Sequence, residues 1–398
     1  MAREQRRIAF VYFDAGGGHR AAMNALTEVF QRQRRPWTVV PVNLQDVLAG
    51  CDFVKKLTGM QVQDVYNRML ATGKTLCAAP LLKLLHGAIR LFEPKLVQST
   101  AEFWQRARMD MVVSVIPNFN RVLAASIKRA NPGTPFVTIL TDLADYPAHF
   151  WIEKESEYVI CGSERAAQQA KALGHDGAHV FRTSGMVIHP KFYETTDIDR
   201  YEERERRGLK PECPTGLVLF GGSGSKAMLD IAERLEYCRE ELQVIFICGH
   251  NDSLAARLRG RKSRYRFFVD GFTTEVPLYM RISDFLIGKP GPGCISEALA
   301  CGLPVIVESN AKTLPQERYN AEWVEKARLG VVVRSFGDIN GAVSTILSTP
   351  AYKQNAMQVR NRAVFEIPEV LQRIWEMHSG IGVLATHTRD GATSVIQP

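Results

Sequence analysis

The stretch Asp14-Ala15-Gly16-Gly17-Gly18-His19-Arg20 places three glycines and a histidine where an apolar run gives way to helical spacing. Glycines let the backbone come close to a ligand, and the helix that follows turns its first amides toward negative charge. His19 is suited to take a proton from a hydroxyl: its unperturbed pKa lies near ~6.5, and the positive end of a helix favours its neutral form. The plainer reading is a helix-start histidine that caps or packs. Companions elsewhere in the chain decide between the two.

Three other segments have the right composition. Gly288-Lys289-Pro290-Gly291-Pro292-Gly293-Cys294-Ile295-Ser296-Glu297 follows the apolar run FLI and opens a short helix. The amides of Gly291, Gly293, Cys294 and Ile295 suit a diphosphate, and Glu297 on the first turn can bond a ribose hydroxyl pair. Complementing the helix dipole would account for Glu297 alone, at a few tenths to about 1 kcal/mol. Phe220-Gly221-Gly222-Ser223-Gly224-Ser225-Lys226 ends another apolar run, and Gly222 and Ser223 can close over phosphate from the facing side. It lacks the spacing GxxxxGK[ST], so ATP hydrolysis is not supported. In Pro315-Gln316-Glu317-Arg318-Tyr319-Asn320, the side chains of Gln316 and Glu317 can read sugar hydroxyls by paired hydrogen bonds.

Alternating strands and helices position these groups. Short apolar runs fall at Ile8–Phe13, Trp37–Val42, Met111–Ile116, Phe136–Leu140 and Tyr158–Cys161, with helical segments between them. The pattern restarts at Leu217–Phe220 and continues through Val244–Cys248, Phe267–Val269, Phe285–Ile287, Val305–Val307 and Gly330–Val333. The fold class is therefore α/β, with two doubly wound parallel domains. The charge-dense stretch 194–210 is too polar for a core strand and marks the boundary, giving domains at 1–200 and 201–380. Residues 51–97 do not fit the repeat and read as an inserted amphipathic region, either a membrane-interface surface or a buried helix pair. The tail 381–398 has no sustained period and is expected to be poorly ordered.

A length of 398 residues fits two domains, and 45% hydrophobic with 23% charged residues is ordinary for a globular chain. The net charge of +8 favours anionic partners. The basic clusters at 32–35 and 257–266 come with no nucleic-acid motif, so no nucleic-acid partner is expected. Eight scattered cysteines without a CxxC point to reduced thiols, with neither a disulfide framework nor a metal site. No apolar run reaches the roughly 18–20 residues of a spanning helix, and no signal peptide is recognisable.

Taken in order, DAGGGHRAAMNAL, SVIPNFN, TDLADYPAHFW, TSGMVIHPKF, VDGFTTEVPLYM, GKPGPGCISEALACGLPVIVES and QERYN resemble the monogalactosyldiacylglycerol synthase and diacylglycerol glucosyltransferase family, of the glycosyltransferase family 28 kind. The chain is more distantly similar to the N-acetylglucosaminyltransferase of peptidoglycan lipid II synthesis. The resemblance covers roughly residues 8–375.

The resemblance implies a GT-B fold, two Rossmann-like domains facing a cleft, and an inverting transfer of a hexose from a UDP-sugar to a lipid acceptor, expected to be diacylglycerol. It implies no cofactor and no metal. His19 and Asp142 would be the catalytic pair, with Gly17, Gly18, Pro117 and Asn118 in the acceptor and phosphate loops. Gly222, Ser223, Gly291, Gly293, Cys294 and Ile295 would hold the diphosphate, Phe272 would lie at the uracil, Glu297 would hold the ribose, and Gln316 and Glu317 would read the hexose. The family's plant members carry a histidine-containing version of SVIPNFN, whereas this chain has Ile116 and Asn118 around Pro117. An anionic membrane surface is the expected partner, at the inner face of the plasma membrane of a cytoplasmic protein. The rival expectations are a UDP-sugar epimerase or hydrolase on the same fold, and a non-catalytic lipid- or nucleotide-binding regulator.

Overall fold

The computed structural model describes residues 5–13, 17–49, 78–194 and 198–379. Strands β1 (Arg6–Tyr12), β2 (Trp37–Asn43), β3 (Met111–Ser114), β4 (Phe136–Ile139), β5 (Tyr158–Cys161) and β6 (Val180–Arg182) form one sheet in the order β2-β1-β3-β4-β5-β6. Strands β7 (Thr215–Leu219), β8 (Gln243–Ile247), β9 (Phe267–Asp270), β10 (Phe285–Gly288), β11 (Val305–Glu308) and β12 (Gly330–Val333) form the second, in the order β12-β11-β10-β7-β8-β9. Every pairing is parallel. Parallel strands need crossover connections, which is why helical segments separate the apolar runs. The edge strand β6 escaped the sequence reading because its three residues, Val-Phe-Arg, are only partly buried and leave no apolar signal.

The helices relevant to the site are α1 (Gly18–Arg32), α2 (Ala78–Ala107), α3 (Arg200–Arg206), α4 (Pro292–Ala300), α5 (Pro315–Lys326) and α6 (Ala363–His378). Side chains alternate between sheet faces, so each sheet is apolar on both sides. Ile8 and Phe10 of β1 share a core with Ala22, Leu26 and Phe30 of α1, while Ala9 and Val11 pack with Ile89, Leu96 and Trp104 of α2. In the second sheet Val218 and Phe246 face one core, and Leu217, Leu219 and Ile245 face the other, against Ile295 and Leu299 of α4.

Two expectations are refined. The polar stretch 194–210 contains α3, whose Arg204 is only 2% exposed. Its guanidinium is tied to Asp284 at 2.7 Å and donates to the carbonyls of Ile282 at 2.8 Å and Pro211 at 2.6 Å. Multiple partners allow a charge to be buried where composition suggests a solvated linker. The second refinement concerns α6, assigned by sequence to the 201–380 domain. Its Val364, Ile367, Leu371 and Ile374 pack into the core of the first sheet beside α1, so the chain crosses back after residue 358.

Of the expected insertion at 51–97, residues 51–77 lie outside the described residues, as does the tail 381–398. The described part belongs to α2. Ile89, Phe92, Leu96, Thr100 and Trp104 recur at helical spacing and turn toward the core, while Arg90, Leu91 and Lys95 are exposed. This part is therefore chiefly a core helix. Among the described residues no helix is long and apolar enough to cross a membrane.

Candidate active site

The motifs collect where the topology reverses. From β1 the chain goes to β2 on one side and β3 lies on the other. From β7 it goes to β8 on one side and β10 lies on the other. A crevice opens at such a switch point, outside the carboxyl ends of the strands, because the adjoining crossovers lie on opposite faces. Gly17, Gly18 and His19 follow β1, and Pro117 and Asn118 follow β3. Gly222 and Ser223 follow β7, and Gly291, Gly293, Cys294 and Ile295 follow β10. Both switch points thus hold residues chosen from the sequence.

On the first domain, Gly17 caps α1 in the left-handed conformation, with φ +79°, and His19 occupies the first turn. The His19 Nδ1 lies 3.3 Å from the Thr141 hydroxyl, and its ring is 5.9 Å from that of Trp151. Burial pushes the His19 pKa down to about 4, partly offset by a backbone hydrogen bond with Val115, so the imidazole is neutral at pH 7. A neutral imidazole can accept a proton. Asp142 does not hydrogen-bond His19. Instead its Oδ2 accepts from the Trp151 indole at 2.8 Å, fixing the ring beside the imidazole. Burial pushes the Asp142 pKa up to about 7; the Trp151 bond and Lys289 oppose the rise, and Glu317 and Asp145 add to it.

Asn118 takes a left-handed conformation, with φ +69°, and its side chain meets His86 of α2 at 2.5 Å. A histidine thus reaches the SVIPNFN loop from another element. Asn120, two residues on, is buried and donates to the carbonyls of Ile116 at 3.0 Å and Trp151 at 2.8 Å, locking that loop to the one bearing Trp151.

On the second domain the glycine loop after β7 fits tightly against the loop after β8. His250 N donates to the Gly222 carbonyl at 2.8 Å, and a Cβ on Gly249, which has φ +58°, would lie 2.1 Å from that same oxygen. Phe272 follows β9, is 61% exposed and stacks on His250 with ring centroids 4.0 Å apart. Glu297 lies on the second turn of α4 and not on the first, as its motif suggests, because the helix already begins at Pro292; it makes no side-chain hydrogen bond or ion pair among the described residues, and burial pushes its pKa up to about 8. Gln316 and Glu317 are buried on the first turn of α5. Glu317 Oε1 is 3.0 Å from Lys289 Nζ, and Asn320 Nδ2 donates to the Pro290 carbonyl at 2.9 Å. These contacts tie the QERYN helix to the KPGPG loop.

The two halves face each other. Tyr146, in the loop after β4, lies with its ring 6.4 Å from that of Tyr319 on α5, and Asp142 feels the charges of Glu317 and Lys289. Sequence reasoning overlooked Thr141, Trp151, Asn120 and Lys289. The first three act through contacts between loops distant in sequence, whereas Lys289 stood inside a motif read for its amides and for Glu297. Among the described residues no group of three or more His, Cys, Asp or Glu side chains is arranged to hold a metal ion.

Residues 217–359 match the glycosyltransferase family 28 C-terminal domain. The chain is 26% identical over 395 residues to a probable monogalactosyldiacylglycerol synthase 2, chloroplastic, of Oryza sativa subsp. japonica, covering 93% of this chain and 81% of the relative. It is 26% identical over 352 residues to monogalactosyldiacylglycerol synthase 3, chloroplastic, of Arabidopsis thaliana, covering 84% and 72%. Among solved structures, Acinetobacter baumannii MurG superposes with a TM-score of 0.57 at 13% identity, covering 93% of this chain and 99% of that one. The UDP-GlcNAc 2-epimerase of Neisseria meningitidis, bound to UDP-GlcNAc, does so with 0.56 at 14%, covering 92% and 100%. Those two likenesses establish the two-domain fold alone, since a transferase and an epimerase fit it about equally. The sequence relationship is the more specific: residues 217–359 carry the match to the glycosyltransferase family 28 C-terminal domain, and the chain is similar along most of its length to monogalactosyldiacylglycerol synthases.

Proposed function

We propose that this protein transfers a hexose from a UDP-sugar to the free hydroxyl of diacylglycerol, with inversion at the anomeric carbon and without a metal ion. The observation that carries this reading is the placement of a neutral histidine at one switch point and, at the other, of the N-terminus of α4, with Glu297 on the next turn lacking a side-chain partner among the described residues. His19 takes the proton from the acceptor hydroxyl as its oxygen bonds the anomeric carbon. The bond to the diphosphate breaks, and its electron pair leaves with UDP. The amides of Gly291, Gly293, Cys294 and Ile295, with Gly222 and Ser223 opposite, receive the charge that develops on the diphosphate. Phe272 lies at the uracil, Glu297 bonds the ribose, and Gln316 and Glu317 read the hexose. Asp142 holds Trp151 against His19, and Gly17, Gly18, Pro117 and Asn118 line the acceptor side.

The lipid acceptor is supported by the names of the curated relatives, monogalactosyldiacylglycerol synthases. Contact with an anionic membrane surface, at the inner face of the plasma membrane in our reading, is supported by the net charge of +8 and by exposed Leu91 beside Arg90 and Lys95 on α2. UDP release from a panel of UDP-sugars, in EDTA and with or without diacylglycerol in anionic vesicles, tests the proposal. Release in EDTA that requires diacylglycerol is the expected result. Release of equal rate without lipid would assign the cleft to hydrolysis instead.

A further inference from the structure

Lys289 joins the KPGPG loop to the QERYN helix, and its surroundings give it two possible partners. It follows β10 directly, and its stem crosses Gly291, the cap of α4: a Cβ built on Gly291 would lie 3.3 Å from Lys289 Cε and 3.6 Å from Glu317 Oε1. The side chain is 43% exposed; its ammonium pairs with Glu317 at 3.0 Å, and its field also reaches Asp142 across the cleft. It therefore stands between the amides suited to the diphosphate and a carboxylate suited to a hexose hydroxyl. Those two ligand groups are joined by the bond that breaks.

We propose that Lys289 is a partner-exchanging catalytic residue: in the empty cleft it neutralises Glu317, and with donor bound it moves onto the β-phosphate, leaving Glu317 for the hexose hydroxyls. This rests on the UDP-sugar reading above. When the bond between the anomeric carbon and the β-phosphate oxygen breaks, that oxygen keeps the electron pair and Lys289 keeps all its protons, so the residue acts by charge alone. A fixed cation at a developing negative charge is worth more there than in water. The exchange makes Glu317 a competitor of the diphosphate for the same ammonium.

Calorimetric titration of UDP and UMP into wild type, Lys289→Met, Lys289→Arg and Glu317→Gln decides the matter, because neither ligand carries a hexose. Lys289→Met is expected to weaken UDP binding by about tenfold or more, since a charge-assisted bond to phosphate is lost, and to weaken UMP, which lacks the β-phosphate, far less. Lys289→Arg is expected to recover much of the UDP affinity. Glu317→Gln is expected to bind UDP more tightly than wild type, because the ammonium is released. Equal UDP affinity in wild type and Lys289→Met, or weaker UDP binding in Glu317→Gln, would reduce Lys289 to a support for Glu317 and overturn the exchange. Failure of the wild type itself to bind UDP would instead remove the donor reading on which the exchange rests.

Discussion

His19→Ala is expected to lower kcat by about two to four orders of magnitude while leaving the affinity for UDP nearly unchanged, since the imidazole lies on the first domain and the loops proposed to hold UDP lie on the second. The pH dependence provides a second readout. The folded pKa of about 4 lies below the unperturbed value, so His19 stays an available base as pH falls through 6 and is lost only toward 4. The acid limb of the wild-type rate set by His19 is therefore expected well below pH 6. Stability follows the same sign: the neutral imidazole favours the fold above its unfolded pKa, and this contribution is lost as pH falls from about 6.5 toward 4. A steady-state profile from pH 4.5 to 8 checks the assignment. An acid limb centred near 6.5, or an unaffected kcat in the alanine variant, would remove His19 as the base.

The largest structural effect is expected at Arg204. Arg204→Met keeps most of the stem but deletes the ion pair with Asp284 and the bonds to the carbonyls of Ile282, Pro211 and Cys213, the last at 3.3 Å. Asp284 keeps Arg200 at 2.8 Å and the Thr215 amide at 2.8 Å, but the carbonyls lose their donor. A loss of about 3 kcal/mol follows from removing one member of a buried charged network. It would appear as a lower urea midpoint for the second domain. Arg206→Met, on an exposed face of the same helix, is the control, and its surface pairs with Glu202 and Glu203 are expected to contribute little. Equal midpoints for the two variants would contradict a stabilising buried network at Arg204.

Much of the architecture was legible because parallel strands buried on both faces leave uninterrupted apolar runs. Tyr158–Cys161 and Gly330–Val333 coincide with β5 and β12 at both ends, and other strands differ by one or two residues. The site loops were legible for a related reason: glycines and helix starts at strand ends are local features. What lay hidden was nonlocal. The side of the molecule to which α6 returns depends on Val364, Ile367 and Leu371 meeting Ile8 and Phe10, more than 350 positions earlier, and amphipathic spacing does not specify which sheet is met. The role of Asp142 as a support for Trp151 and the contact of His86 with Asn118 join loops that are neighbours only after folding. The burial of Arg204 within a run of charges was hidden because its partners are Asp284, 80 positions on, and backbone carbonyls, which composition does not reveal.

The central claim is that a hexose passes from UDP to a lipid hydroxyl with inversion. The direct measurement is the product itself: enzyme is incubated with a UDP-α-hexose and diacylglycerol vesicles, the lipid is extracted, and its anomeric proton coupling is read by NMR. A β-linked hexosyl diacylglycerol is the predicted result. Free hexose, an epimerised UDP-sugar or an α-linked glycolipid would contradict the account, each by showing a different fate for the anomeric carbon.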